Sequence, residues 1–317
     1  MASRTVISKD DRAAFESIAQ EIAPGGRVTK IERLRGGISA YMHALTIEGG
    51  DGTRTKVTVR RLRGHDAAEE PWGIEYEYGV LQIVERAGLS APRPLYLDAA
   101  GKHFGAPALV LTFLPGKTNI APKDAASWTD ALASMLVKVH AITPEAADLS
   151  MLKQQDSRSR IEDIAAENRG DPYVGEVVAV LRARCDSIEP LPPTLVHNDY
   201  WAGNVLWNRG SLTGIIDWTH ARIGDPRNDV SECRSALTFD HDEAVANAFL
   251  TAYERHSGRT LPDMWFFDLL RGATAYMYHE SYLEGTIDLG IHLDEATVKR
   301  QLAAFLQHAL DASKAFA

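Results

Sequence analysis

Three oxygen-bearing side chains stand at spacings that could do chemistry together. Asp199 is followed five residues later by Asn204, and Asp217 lies 13 residues beyond that. A carboxylate beside a reacting hydroxyl can orient it and accept its proton. An amide oxygen and a second carboxylate are hard ligands that suit Mg2+, which keeps waters and substrate phosphate as its other ligands. Phosphoryl transfer from a nucleotide needs little more than this: metal-held phosphates, a positioned hydroxyl and neutralised charge. Taken singly, Asp and Asn are common turn residues. The joint arrangement carries the reading.

The surrounding sequence supplies elements to hold these groups. Short apolar runs at Leu195 to Asn198, Asn204 to Trp207 and Gly214 to Trp218 read as three strands. Asn208-Arg209-Gly210-Ser211 is a turn sequence between the last two. The resulting hairpin brings Asn204 and Asp217 to one mouth. Tyr200 and Trp201, beside Asp199, are expected to form one wall of a substrate pocket.

The rest of the chain divides at Leu114-Pro115-Gly116, giving units 1–113 and 114–317. Ser8 reads as a helix N-cap, with Phe15, Ile18, Ala19 and Ile22 at helical spacing behind it. Strand-like segments follow at 27–34, 38–47 and 53–62, with a Gly49-Gly50-Asp51-Gly52 turn between the last two. A helix from Pro71 to about Arg86 precedes two more strands, at 95–98 and 108–113. The first unit is therefore a five-stranded, antiparallel sheet with an internal helix. The second is mainly helical, with helices on Trp128 to Val139, 157–168 and 173–188, and again from Asp229 onward. His140 ends one of these helices and reads as a structural residue. The fold class is α+β.

At this point the residues resemble a known family. His197-x-Asp199-x4-Asn204, then Ile216-Asp217-Trp218 and Gly224-Asp225-Pro226, are similar to the aminoglycoside phosphotransferase and choline kinase family, relatives of the protein kinases. The resemblance implies a bilobal protein-kinase-like fold and a Mg2+-dependent transfer of the γ-phosphate of ATP or GTP to a small-molecule hydroxyl. It implies Asp199 as catalytic base, Asn204 and Asp217 as metal ligands and His197 as a supporting residue of the loop.

The first unit should then hold the nucleotide. Arg35-Gly36-Gly37-Ile38-Ser39 resembles a phosphate-covering turn, in which Ser39 and backbone N–H groups donate to phosphate. Val57-Thr58-Val59-Arg60 resembles the kinase strand that carries a phosphate-binding lysine, here replaced by Arg60, with Glu77 as the salt-bridge partner; Arg61 and Glu75 are the neighbouring alternatives. Thr112 and Leu114 resemble the strip whose backbone meets the purine. That Arg60 stands in place of lysine leaves open a nucleotide-binding, pseudokinase-like regulatory module without turnover.

Charge bears on the acceptor. The 317 residues carry a net charge of -9, which argues against nucleic acid as a partner. Residues 1–112 carry 15 basic and 14 acidic residues, and residues 113–317 carry 19 and 29. An acidic second unit suits a cationic acceptor, an aminoglycoside or an amino alcohol, although a solvated acidic surface reads the same way. Glu280 is the named acidic candidate, among Asp240, Asp242, Glu243, Glu284 and Asp288, with Tyr276, Tyr278 and Tyr282 as aromatic neighbours. Two cysteines make no disulfide framework, and neither a signal peptide nor a membrane span is read, so a cytoplasmic protein is expected.

Overall fold

The computed structural model describes residues 8–34, 40–63, 73–288 and 292–315. The Arg35–Ser39 turn and Pro71 lie outside the described residues. The chain forms two compact units, Met1–Pro115 and Gly116–Ala317.

The first unit is an antiparallel sheet crossed by two helices. Strands β1 (Arg27–Arg33), β2 (Ala40–Glu48), β3 (Arg54–Leu62), β4 (Pro94–Asp98) and β5 (Ala108–Thr112) lie in the order β1-β2-β3-β5-β4. Helix α1 (Lys9–Ile22) starts where the Ser8 hydroxyl accepts the Asp11 N–H at 2.9 Å. Its Phe15, Ile18 and Ala19 pack on Val28, Leu45, Ile47, Val57, Val59 and Val110. Alternation along β3 sends Thr58 and Arg60 to the opposite face. There helix α2 (Gly73–Arg86) brings Glu77 to Arg60. Gly88, at φ 71°, ends the α2 segment in a conformation that costs glycine nothing.

The second unit is helical around small strand pairs. Strand β6 (Lys117–Thr118) leads to α3 (Ala125–His140), α4 (Ser157–Glu167) and α5 (Pro172–Arg184). Strands β7 (Thr194–Val196), β8 (Val205–Asn208), β9 (Ser211–Ile215) and β10 (Arg222–Gly224) follow. Then come α6 (Arg227–Asp240), α7 (Glu243–Ser257), α8 (Met264–Met277), α9 (His279–Asp288) and α10 (Glu295–Lys314). Aspartates 124, 156, 171, 242 and 294 each accept an N–H in the first turn of the helix they precede. The core joins α4, α5, α8 and α10 through Ile161, Val177, Leu181, Phe266, Leu270 and Leu306.

The β8–β9 hairpin turns on Arg209 and Gly210, both at positive φ (52° and 84°), between the paired residues Asn208 and Ser211. Two such residues give the turn whose twist matches that of the strands. The pairs β6–β8 and β7–β10 have no counterpart in the sequence reading. They run for two or three residues, too short to show a period.

Candidate active site

The loop between β7 and β8 is held from below by one buried carboxylate. Asp229, in the first turn of α6, accepts the N–H of His197 at 2.6 Å on Oδ2 and the N–H of Asn198 at 2.7 Å on Oδ1. His140 Nε2 stands 3.2 Å from the same Oδ2, and its Nδ1 is 2.7 Å from the Tyr253 hydroxyl. Burial alone would push the Asp229 carboxyl up; the His140 hydrogen bond and charge and the His197 N–H hold it below its usual range. The His197 ring is fully buried, bonds the Ile216 carbonyl at 3.0 Å through Nε2 and meets Trp218 edge-on. Burial lowers its pKa, so the ring is neutral and acts as a brace between the loop and the β9 segment.

On this support the three oxygen-bearing residues come together. Asn204 Nδ2 donates to Asp199 Oδ2 at 2.7 Å and to the Asp199 carbonyl at 2.9 Å. The Ile216 N–H donates to the Asn204 carbonyl at 2.9 Å, which sets Asp217 next to Asn204. Asn198 and Asp217 both adopt positive φ, 64° and 63°. Such backbone is uncommon outside glycine, Asn and Asp, and it clusters at functional sites. Thr219 donates its hydroxyl to Asp217 Oδ1 at 2.6 Å. The Asp199 carboxyl is raised well above its ordinary value by burial and by the charges of Glu232 and Asp217, against the pull of the Asn204 bond and the Arg271 charge.

Asp199 opens on a cavity of about 390 Å³ within the second unit. Its wall carries charges of both signs, among them Arg160, Arg271 and Glu232, together with Gln155, Thr274 and Tyr282. Arg271 Nη1 lies 3.0 Å from Glu232, and its Nη2 donates to the Asn198 amide oxygen, which also accepts from Gln155. Arg271 Nε is buried without a hydrogen-bond partner. Arg160 donates to the Thr274 hydroxyl at 2.7 Å.

The residues expected at an acceptor wall are placed as follows. Tyr200 is fully buried and donates its hydroxyl to the Leu132 carbonyl at 2.9 Å, so it faces the core. Trp201 lies over Gly203, where any Cβ would collide with its ring, and it does not line the cavity. Glu280 is exposed and sits with His279 and Glu295, away from the cavity wall. Tyr282 does line the cavity, whereas Tyr276 and Tyr278 do not. Asp229, Glu232, Arg160 and Arg271 are not among the site residues expected from the sequence. The usable signal was the Asp229 charge inside Asn228-Asp229-Val230-Ser231, all four of which are buried. Asp225, read as part of a family signature, serves structure: its carboxylate takes the fully buried Arg227 at 2.6 Å and the Leu191 N–H at 3.0 Å.

Asp240, another acidic candidate, is pushed up to about 7 by burial. A carboxyl whose folded pKa is raised favours folding below its unfolded pKa, and that contribution is lost as pH rises toward 7. Asp240→Asn should therefore raise Tm at pH 8 and change it little at pH 4, as read by thermal denaturation at both values.

In the first unit Arg60 Nη1 and Glu77 Oε2 are 3.2 Å apart, and both side chains are buried. Of the alternatives, Arg61 pairs with Asp11 at 2.6 Å, and Glu75 lies in the first turn of α2. Thr112 donates its N–H to the Arg93 carbonyl and accepts the Arg93 N–H on its hydroxyl. Leu114 is half-buried just beyond β5. Ser39 lies outside the described residues.

The comparisons agree with this picture. A model of the phosphotransferase enzyme family matches residues 30–265, and the chain belongs to that family. It is a small-molecule kinase, a phosphotransferase with a hydroxyl acceptor. A homoserine kinase of Gluconacetobacter diazotrophicus is 29% identical over 83% of this chain and 81% of that protein. The crystal structure of an aminoglycoside phosphotransferase in ternary complex with ADP and hygromycin B aligns with a TM-score of 0.62 at 17% identity, covering 93% of this chain and 98% of that one. A choline kinase of Streptococcus pneumoniae aligns at 0.60 and 15% identity, covering 97% and 100%. These likenesses show the protein-kinase-like fold. No described helix is long and apolar enough to cross a membrane.

Proposed function

We propose that the protein transfers the γ-phosphate of ATP or GTP to the hydroxyl of a small zwitterion, with Asp199 orienting that hydroxyl and taking its proton. The observation that carries this is the Asn204 amide fixed on the Asp199 carboxylate at the edge of an open cavity lined by charges of both signs. An acceptor hydroxyl within hydrogen-bond reach of Asp199 is aligned for attack, and the raised pKa of the carboxyl suits it to receive a proton.

The donor set fits Mg2+. Asn204 spends its Nδ2 on Asp199 and keeps Oδ1, and Asp217 turns one oxygen to Thr219 and keeps the other. The ion, when bound, neutralises charge on the nucleotide phosphates. Arg60, steered by Glu77, takes phosphate oxygens with its planar fork, and the backbone at Thr112 and Leu114 meets the purine, with Ser39 assisting at the phosphates. Arg60→Lys keeps the charge but loses the fork. It should raise the nucleotide KM about tenfold, the loss of roughly one charge-assisted hydrogen bond. Steady-state kinetics against the nucleotide checks this.

A cationic acceptor was expected from net charge. The cavity argues for a compound with charges of both signs, because its wall sets Arg160, Arg222 and Arg271 beside Asp156, Asp163 and Glu232, so that an ammonium and a carboxylate can each find a partner. Homoserine kinases among the relatives fit this class, since homoserine carries both groups and a hydroxyl. The test is turnover with Mg-ATP or Mg-GTP across hydroxyl-bearing amino acids, amino alcohols and aminoglycosides. Highest kcat/KM with a zwitterion supports the reading. Preference for a polycation overturns the acceptor class, and nucleotide binding without turnover on any of them overturns the activity.

A further inference from the structure

We propose that His279, Glu280 and Glu295 form a second cation site, for a divalent transition ion such as Zn2+, separate from the catalytic loop. The His279 side chain is only 6% exposed, at the start of α9. Its Nδ1 lies 2.7 Å from the Tyr276 carbonyl. A carbonyl only accepts, so Nδ1 carries a proton and, in the neutral ring, Nε2 presents the lone pair. Nε2 is buried and has no hydrogen-bond partner. Leaving such an acceptor unmet costs about 1–3 kcal/mol.

What faces it is a pair of carboxylates. Glu295 Oε1, in the first turn of α10, stands 3.8 Å from Nε2, beyond hydrogen-bond length. Two donors at about 2.0–2.2 Å from a tetrahedral ion lie about 3.3–3.6 Å apart, so this separation is within a few tenths of an ångström of that for a shared cation. Glu280 follows His279 in the chain, and the three ligand atoms all lie within 4.8 Å of one another. Both glutamates are exposed, so their side chains are free to turn toward a shared ion. A ring that donates its other N–H to a backbone carbonyl is oriented as metal-bound histidines are. One imidazole with two carboxylates selects Zn2+-like ions over Mg2+, which prefers oxygen ligands alone. Such an ion would tie the start of α9 to the start of α10.

The test uses the full chain, stripped of metal and titrated with Zn2+ or Co2+ by calorimetry in excess Mg2+. One ion should bind per chain, and Co2+ should give a visible d–d band. Glu280→Gln and Glu295→Gln should each weaken binding at least tenfold while leaving the fold and the Mg2+-dependent transfer intact. His279→Gln should abolish the band. The proposal is overturned if no Zn2+ binds, if binding persists undiminished in both glutamate variants, or if it is lost only in Asp217→Asn. It is equally overturned if the His279 ring proves doubly protonated and ion-paired with Glu295 in the metal-free protein, with no metal-dependent release of that proton.

Discussion

Asp199→Asn should lower kcat about 10²- to 10⁴-fold, the range that a positioned proton acceptor contributes. The substitution is isosteric. Its amide oxygen can still accept from Asn204, so the loop has no reason to move. What disappears is the capacity to take a proton and to draw a hydroxyl into line. Nucleotide KM should change little, because Arg60 and Glu77 are untouched. Stability should move the other way. The Asp199 carboxyl is crowded by burial and by Glu232 and Asp217, and its raised pKa means that the ionised form disfavours folding. A neutral amide relieves this, so Tm at pH 7.5 should stay equal or rise while activity collapses. Activity within tenfold of the parent enzyme would falsify the assignment of Asp199 as base.

The second large effect is expected at a residue that touches no substrate. Asp229→Asn keeps the volume of the side chain but turns one acceptor into a donor. Two backbone N–H groups, from His197 and Asn198, aim at its two oxygens, so one of them must lose its partner and meet an NH2 group instead. His140 loses the charge it faces. A buried donor left unmet costs about 1–3 kcal/mol, and breaking a buried charged network about 3–5 kcal/mol. At about 2–4 °C per kcal/mol for a unit of this size, the network term alone should lower Tm by roughly 6–20 °C. The catalytic loop should also lose its register, and displacement by about 1 Å can cost about 10²-fold in rate. The diagnostic is a fall in kcat measured well below the new Tm. A fully active, merely less stable variant would show that the loop keeps its shape without this anchor.

The spacing from Asp199 to Asn204 and Asp217 was legible because it is local. A loop and one hairpin turn position all three, and turn residues such as Arg209-Gly210 announce themselves. The same holds for the Ser8 cap and for the β3 alternation that puts Arg60 opposite Val57 and Val59. The anchor and the cavity wall were not legible, since Asp229, Glu232 and Arg271 reach the loop across 31 or more residues of chain, from helices whose pattern shows only helical spacing. Tyr200 was misread for a related reason. Adjacency to Asp199 says nothing about direction, and the loop turns that ring inward to the Leu132 carbonyl. Net charge says little about the acceptor for a third. It sums over the whole surface, whereas the cavity beside Asp199 holds arginines that the total conceals.

The cavity draws its walls from two sources. Asn198 and Asp199 belong to a loop pinned by α6 and braced by His140 and His197, whereas Arg160 comes from α4, Thr274 from α8 and Tyr282 from α9. Inheritance can therefore act on the two separately. On the proposed reading, substitutions on the cavity-facing sides of α4 and α9 should retune which alcohol is accepted while the loop stays as it is. Lineages of this family can thus diverge in diet without reinventing their chemistry, and a directed search for a new acceptor should begin at Arg160 and Tyr282.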